Sequence, residues 1–295
     1  MTGAARAALA EAAKAKTNLA LHVVGRRDDG YHELDSLVVF AAIGDTLEIS
    51  RAAPGVGRLV IDGPFAAGLG TGDDNLVLKA LAAFEADITP LPDVALRLTK
   101  RLPIASGIGG GSADAAATLR LAARYAGLAA NDARLWALAA RLGADVPMCL
   151  ASRPLRAEGI GERLTPWPEA PRLSLLLVNP GVGVSTPAVF RRLEQRDGTP
   201  LPELPPQPTA DALAAFLRAE TRNDLEAPAI EEAPVIAEAL ERIRATDGCR
   251  LARMSGSGAT VFGIFSNMEA ADRAAQQIAA ERPEWWVVAT RAGGA

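Results

Sequence analysis

Pro103-Ile-Ala-Ser-Gly107-Ile-Gly109-Gly110-Gly111-Ser112-Ala113-Asp114 is the stretch on which the reading of this sequence turns. It joins a short alternating run, residues 94–99 (VALRLT), to an alanine-rich stretch from about residue 113, so it predicts a strand–loop–helix unit. Glycines carry no Cβ and let backbone amides come close to an anion. A helix that starts just behind them adds unsatisfied N–H groups and the positive end of its dipole. Together these features make a phosphate cradle that needs no lysine. The plain alternative is a turn that only reverses the chain, for which three consecutive glycines are entropically costly. No Gly-Lys-Ser/Thr closes the loop, so it is not a Walker A loop. The spacing Gly107-x-Gly109-x-Gly111, with no βαβ unit before it, does not fit a Rossmann fingerprint.

Strands are predicted upstream over residues 17–24, 34–40, 45–50 and 58–62, with a polar break GRRDDGYHE between the first two. Helices begin with Asn75 as N-cap, then with Ser112 opening a segment ended by Gly127, and Asn131 opening one ended by Gly143. Residues 163–172, with Pro166, Pro168 and Pro171, predict a linker, and 173–180 a buried strand. The proline-rich residues 197–209 predict a surface loop. Two helical stretches, a strand–loop–strand over 249–265, a helix over 268–282 and a last strand at WWVVAT complete the chain. Strands followed by helices in each half give an α+β expectation, with domains at 1–165 and 166–295.

The 295 residues are 49% apolar, enough for a sizeable core, and the formal net charge is −4. That balance offers no global basic field to nucleic acid or an anionic membrane, so any positive potential for anionic ligands must be local. Cys149 and Cys249 are a hundred residues apart with no metal-binding spacing, so no protein metal site is expected, and two buried thiols suit a reducing cytoplasm. No run of about 18 apolar residues is present. The first fifteen residues, MTGAARAALAEAAKA, are read as a frayed or helical lead-in.

Pro-x-x-x-Gly-x-Gly-Gly-Gly-Ser-Ala resembles the phosphate loop of the GHMP kinases, and Met254-Ser-Gly-Ser-Gly-Ala-Thr260 resembles their C-terminal glycine-rich signature. The segments AKTNLALHVVGRRDDGYHELDSLV, LPIASGIGGGSADAAA, GADVPMCL, AEGIGE, NPGVGVSTPAVF, NDLE and MSGSGATVF follow one another as in the branch of that family acting on a cytidine diphosphate-linked methylerythritol. Asp29-Gly-Tyr-His32 is the most specific of these matches. The resemblance implies a two-domain GHMP kinase fold with the active site in the cleft between domains. It also implies ATP as co-substrate with Mg²⁺, and a monomer or homodimer.

The resemblance assigns the reacting centre to Lys16 and Asp145. By position alone, Asp145, two residues before Pro147, also reads as an ordinary helix N-cap. ATP falls to Pro103, Ser106, Gly107, Ile108, Gly109, Gly110, Gly111, Ser112 and Ala113. Tyr31 and His32, side by side in a polar loop, suit stacking on a base and hydrogen bonding to its edge, or simply form a turn. The resemblance makes them substrate contacts, together with Asn18, Thr186 and Phe190; Phe190 alone would read as core of a short helix. His22 is expected to be structural, and Asn223-Asp224-Leu225 is left outside the site. Two departures from the family pattern are Thr17, in place of a frequent Ile, and Arg153-Pro-Leu-Arg156, in place of a shorter turn.

Overall fold

Apolar residues at alternating positions build the first strands. In a computed structural model that describes residues 8–52, 57–91, 93–129, 131–194 and 198–294, β1 (Leu9–Arg26) and β2 (His32–Arg51) are long strands joined by the short polar turn at 27–31. The two strands expected at 34–40 and 45–50 are thus one, because AAIG between them keeps extended backbone. Contacts divide the chain into two compact units: Met1–Ala15, Gly44–Ile104 and Gly109–Ala151 in the first, and Lys16–Ile43, Ala105–Ile108 and Ser152–Ala295 in the second. This partition differs from a single cut at 165/166, since β1 and β2 each contribute residues to both units.

In the first unit the end of β2 pairs antiparallel with β4 (Val94–Thr99), Thr46 opposite Thr99, and β3 (Leu59–Asp62) runs parallel to β4. Four helices pack with them: α1 (Leu76–Asp87), α2 (Gly110–Ala126), α3 (Ala133–Leu142) and α4 (Val146–Ala151). Asn75 caps α1 as expected, its side chain accepting from the Val77 amide at 2.9 Å. Ala113, Ala115, Ala116 and Ala117 are buried on α2, where their small side chains let α1 and α4 approach. Asp132, not Asn131, caps α3, accepting from the Arg134 amide at 2.9 Å. Residues 9–15 are strand, not a helical lead-in. Alanine's helix propensity is overridden by tertiary contacts: Ala13 and Ala15 are buried, and α2 supplies donors to this edge. Arg120 donates to the Ala12 carbonyl at 3.0 Å and to Glu11 at 2.8 Å, and Arg124 donates to Glu11 at 2.7 Å.

In the second unit, β7 (Leu173–Asn179) is a nearly continuous apolar run because it is flanked on both edges. It pairs antiparallel with β10 (Trp286–Ala292) on one side and β9 (Val261–Phe265) on the other, and β8 (Cys249–Met254) pairs with β9. Ala292 of β10 meets Ala41 of β2, and β5 (Leu155–Gly159) pairs with β2 from Leu34 to Val38. Part of the expected linker is strand: β6 (Arg163–Pro166) pairs with β5. The helices are α5 (Thr186–Arg192), α6 (Ala210–Glu220), α7 (Glu226–Glu232), α8 (Val235–Arg244) and α9 (Met268–Glu281). Ile236, Leu240 and Ile243 of α8 and Ile278 of α9 join Leu176, Val178, Val261 and Phe265 in one core. The proline-rich segment lacks regular structure from 198 to 209 but is not merely a surface loop. Leu201 is buried, and its amide donates to Asp35 at 2.8 Å. Arg156, from the stretch that departs from the family pattern, grips the same carboxylate bidentately at 2.7 and 2.5 Å.

Candidate active site

The glycine loop contributes residues to both units. Ala105–Ile108 belong to the second, where they pack backbone to backbone on the Ser255–Gly258 loop. Gly107 has φ +74°, and a Cβ there would stand 2.6 Å from the carbonyl oxygens of both Ser255 and Gly258. Only glycine satisfies that approach and that backbone angle together. The Thr260 amide donates to the Ser106 carbonyl at 3.0 Å, which ties the two loops further. Residues 105–108 of the first glycine-rich stretch and the Ser255–Gly258 loop of the second thus pack together within the second unit.

Lys16 and Asn18 of β1 line up with these loops. Lys16 is buried, and its amide donates to the Ile108 carbonyl at 3.0 Å. Asn18 receives no slack either. Its amide donates to Ser255 Oγ at 3.1 Å and its Nδ2 to Ser36 Oγ at 2.7 Å, and Ser36 in turn donates to the Ala20 carbonyl at 2.8 Å. Asn18 Oδ1 is buried without a hydrogen-bond partner, a costly state for an acceptor unless something donates to it in use. Thr186, at the start of α5, shares a 2.7 Å hydrogen bond with Ser257. His32 stacks on Phe190 with ring centroids 4.8 Å apart and planes 21° apart, while Tyr31 is 61% exposed.

The loop at Ser255 is held from behind by residues the sequence reading left aside. Asn223 Nδ2 donates to the Met254 carbonyl at 2.8 Å and the Gly256 carbonyl at 2.9 Å, while its Oδ1 accepts from the Leu225 amide at 3.0 Å. Glu226 accepts from the Met254 amide at 2.8 Å. The sequence signal was the Asn-Asp-Leu motif itself; its partners lie 31 and 33 residues downstream, and spacing does not reveal them. His22 is structural as expected: its Nδ1 bonds the Thr199 carbonyl at 2.9 Å, its Nε2 accepts from the Arg222 amide at 3.1 Å, and burial lowers its pKa.

In the first unit the loop becomes α2. Its N-cap is Gly109, with φ +67°, rather than Ser112, so Gly110 and Gly111 form the first helical residues. No side chain caps this end and no acidic residue occupies the first turn. The amide donors at the helix start are thus left for an anion, with the dipole favouring it. Beneath Gly110 lies a cluster without a sequence signature. Lys100 is buried and donates to Asp45 and, at 2.8 Å, to Asp114; Asp45 Oδ1 also accepts from the Leu102 amide at 2.9 Å. Burial pushes the Asp114 carboxyl up to about 7, Lys100 opposing the rise and Asp45 adding to it. Burial works to lower the Lys100 pKa, but the attraction of Asp114 and Asp45 outweighs it and leaves it raised. Pro103 is buried ahead of the loop, and Ser112 and Ala113 fall within the first turns of α2. Asp145 immediately precedes α4, its carbonyl accepting from the Cys149 amide at 3.1 Å, the backbone pattern of an N-cap residue. Lys16 belongs to the second unit and Asp145 to the first.

Among the described residues no group of three or more His, Cys, Asp and Glu could hold a metal ion. Cys149 is buried, but Cys249 is only half-buried, because it starts an edge strand. No helix among the described residues is long and apolar enough to cross a membrane.

Residues 75–153 match the family model for the GHMP kinases N terminal domain, and residues 207–284 that for GHMP kinases C terminal. The chain is 55% identical over 283 residues to the 4-diphosphocytidyl-2-C-methyl-D-erythritol kinase of Paracoccus denitrificans, covering 95% of each chain. It is 51% identical to the enzyme of that name from Methylorubrum extorquens, covering 95% of this chain and 97% of the relative. A crystal structure of 4-(cytidine 5'-diphospho)-2C-methyl-D-erythritol kinase matches with a TM-score of 0.79 at 36% identity, over 97% of this chain and 100% of that one. Homoserine kinase from Cytophaga hutchinsonii shares the fold, with a TM-score of 0.69 at 14% identity over 100% of this chain and 98% of that one.

Proposed function

This chain belongs to the GHMP kinases, and from that premise we propose that it transfers the γ-phosphoryl group of ATP to the 2-hydroxyl of 4-diphosphocytidyl-2-C-methyl-D-erythritol, in the methylerythritol phosphate route to isoprenoids. The observation that carries the reading is identity of half or more, over nearly the whole length, to kinases of that name. The uncapped, glycine-built start of α2 supports the phosphate role of the loop.

In this reading Pro103, Ser106, Gly107, Ile108, Gly109, Gly110, Gly111, Ser112 and Ala113 form the ATP site, with free amides of the glycine run and the dipole of α2 holding the phosphates. Phosphoryl transfer asks the protein for positioning and charge stabilisation more than for covalent chemistry. Asp145 takes the proton of the substrate hydroxyl as its oxygen bonds to the γ-phosphorus and the bond to ADP breaks. Lys16 stabilises the charge on the transferring group. Asn18, Tyr31, His32, Thr186 and Phe190 orient the alcohol, the aromatic side chains through its cytosine. Mg²⁺ would accompany ATP, bound mainly by phosphates and water, and would offset the phosphate charge. The remaining parts of the proposal are a cytoplasmic enzyme, monomeric or homodimeric, without nucleic-acid partners, its family domains falling within 1–165 and 166–295.

The test is ATP consumption with a panel of alcohols: the cytidine diphosphate methylerythritol, homoserine, mevalonate and galactose. Turnover of the first alone is expected; preferential turnover of another overturns the substrate assignment.

A further inference from the structure

Behind the Ser255 loop, in the second unit, lies a cavity of about 440 Å³ whose wall is unusually basic. Arg218, Arg222, Arg244, Arg250 and Arg253 line it, with Glu226 as the single acid of the wall. Asp224 pairs with Arg222 at 2.5 Å and Asp211 with Arg250 at 3.0 Å, so arginines outnumber acids five to three even with these neighbours included. Arg244 lies only loosely against Glu226, at 3.9 Å. Arg218 donates to a carbonyl, that of Arg250 at 3.1 Å. Arg253 is buried, and its hydrogen bonds run to the Leu19, Leu217 and Thr221 carbonyls and the Thr221 hydroxyl, at 2.8–2.9 Å. Burial lowers the pKa of that guanidinium to about 10, with Glu226 opposing.

A chain with formal net charge −4 has gathered five guanidiniums around one concavity. Like charges so close repel one another, and the wall supplies too few carboxylates to offset that. An anion in the cavity would. Planar guanidiniums suit phosphate oxygens, which they grip with paired N–H donors. The volume lies within the range of small-molecule sites, about 300–1,000 Å³, and exceeds the roughly 30 Å³ of one water several-fold. The basic residues surround a pocket instead of forming a stripe, so the fit is to a compact anion and not to a polymer backbone. Apolar wall is limited to Leu251, Ala252 and the half-buried Cys249.

We propose that this cavity is a binding site for a small molecule bearing a diphosphate group, separate from the ATP loop, with Arg218 and Arg244 as its principal ligands. Its wall includes Asn223 and Glu226, the residues that hold Met254 and Gly256, so occupancy bears on the glycine-rich loop from behind.

Titration calorimetry of the full chain with inorganic pyrophosphate tests it, with the ATP loop first filled by a non-hydrolysable ATP analogue. One pyrophosphate per chain is expected to bind, more weakly as salt rises. The exposed double variant Arg218→Gln/Arg244→Gln is expected to weaken it at least about tenfold, since each lost charged hydrogen bond matters, while its thermal midpoint stays at the wild-type value. Alkylation of Cys249, which lines the cavity, should slow when pyrophosphate is present. Absence of binding at millimolar pyrophosphate overturns the proposal, as does binding untouched by the double variant. Orthophosphate binding as tightly as pyrophosphate overturns the diphosphate assignment.

Discussion

The ammonium of Lys100 donates to the Asp114 carboxylate at 2.8 Å directly beneath Gly110, whose absent Cβ would stand 3.2 Å from the same nitrogen. The start of α2 thus rests on a buried ionic cluster, and both residues bear on how that start behaves.

Asp114 carries the first prediction. Its folded pKa, near 7, exceeds the ordinary 3.8, so the folded state holds a proton that the unfolded chain gives up earlier. Its contribution to stability is therefore full below about pH 4, declines as pH rises towards 7, and is then spent. Asp114→Asn removes this titration. Denaturant melts between pH 4 and 8 should show the variant gaining on the wild type up to about pH 7 and holding that gain above it. A pH-independent difference would assign the proton elsewhere.

Gly110 and Gly111 separate packing from phosphate binding. A valine at 110 would press on Lys100 and on Asp45, 3.8 Å from the added Cβ, so Gly110→Val should lower the thermal midpoint and raise the ATP KM. Gly111→Ala meets only Leu76 Cδ1 at 3.4 Å and gains up to about 1 kcal/mol of helix propensity. It should melt no lower than wild type yet still bind ATP less well. An unchanged ATP KM in both variants would remove the cradle.

For Asp145 the decisive substitution is asparagine, which caps a helix nearly as well as aspartate. Asp145→Asn should keep its melting behaviour and lose about 10²–10⁴ in turnover, the usual range for a positioned base. Near-normal turnover would leave Asp145 as a cap alone.

Tyr31, 61% exposed beside the stacked His32 and Phe190, is available to a base. Stacking on a base is worth about 1–3 kcal/mol, so Tyr31→Ala should raise the KM of the cytidine substrate by about 5- to 150-fold and leave that of ATP nearly unchanged. Tyr31→Phe keeps the ring face and should be mild. Equal losses for both substrates would point to a folding defect instead.

Local signals in the sequence reached far into this fold. Asn75 starts its helix and Gly127 and Gly143 close theirs where capping chemistry says they should, and VALRLT is β4 to the residue. What spacing did not carry was contact at a distance. Residues 9–15 read as helix by alanine content; pairing of β1 with β2, burial of Ala13 and Ala15, and donors from Arg120 and Arg124 more than a hundred positions away make them strand. Lys100 and Asp45 are likewise ordinary until the fold buries them against Asp114. In the candidate site, Lys16, Asn18 and the two glycine loops were legible from the family resemblance. Asn223 was visible as a motif, but its role depends on carbonyls that only the structure brings to it.

Asn223 can be tested by removing its donor. Asn223→Asp would set a carboxylate against two carbonyl oxygens, and a buried acceptor without a donor costs about 1–3 kcal/mol or more if charged. Both the melting midpoint and turnover should fall, while Asn223→Gln, which keeps the amide, should recover part of each. If both variants behaved as wild type, the loop would be held by Glu226 alone.

The way β1 and β2 are shared between the two units has a consequence for the gene. A break after Ala151 yields a fragment carrying Lys16–Ile43, which the second unit needs for β2 to meet β5 and β10, and another fragment deprived of them. The fragment before the break holds the whole first unit together with strand segments of the second, whereas the fragment after it lacks part of the second unit and is no free-standing module. Any exchange that cuts this chain in its middle must keep both pieces in one cell, where they would have to find each other to rebuild a working protein.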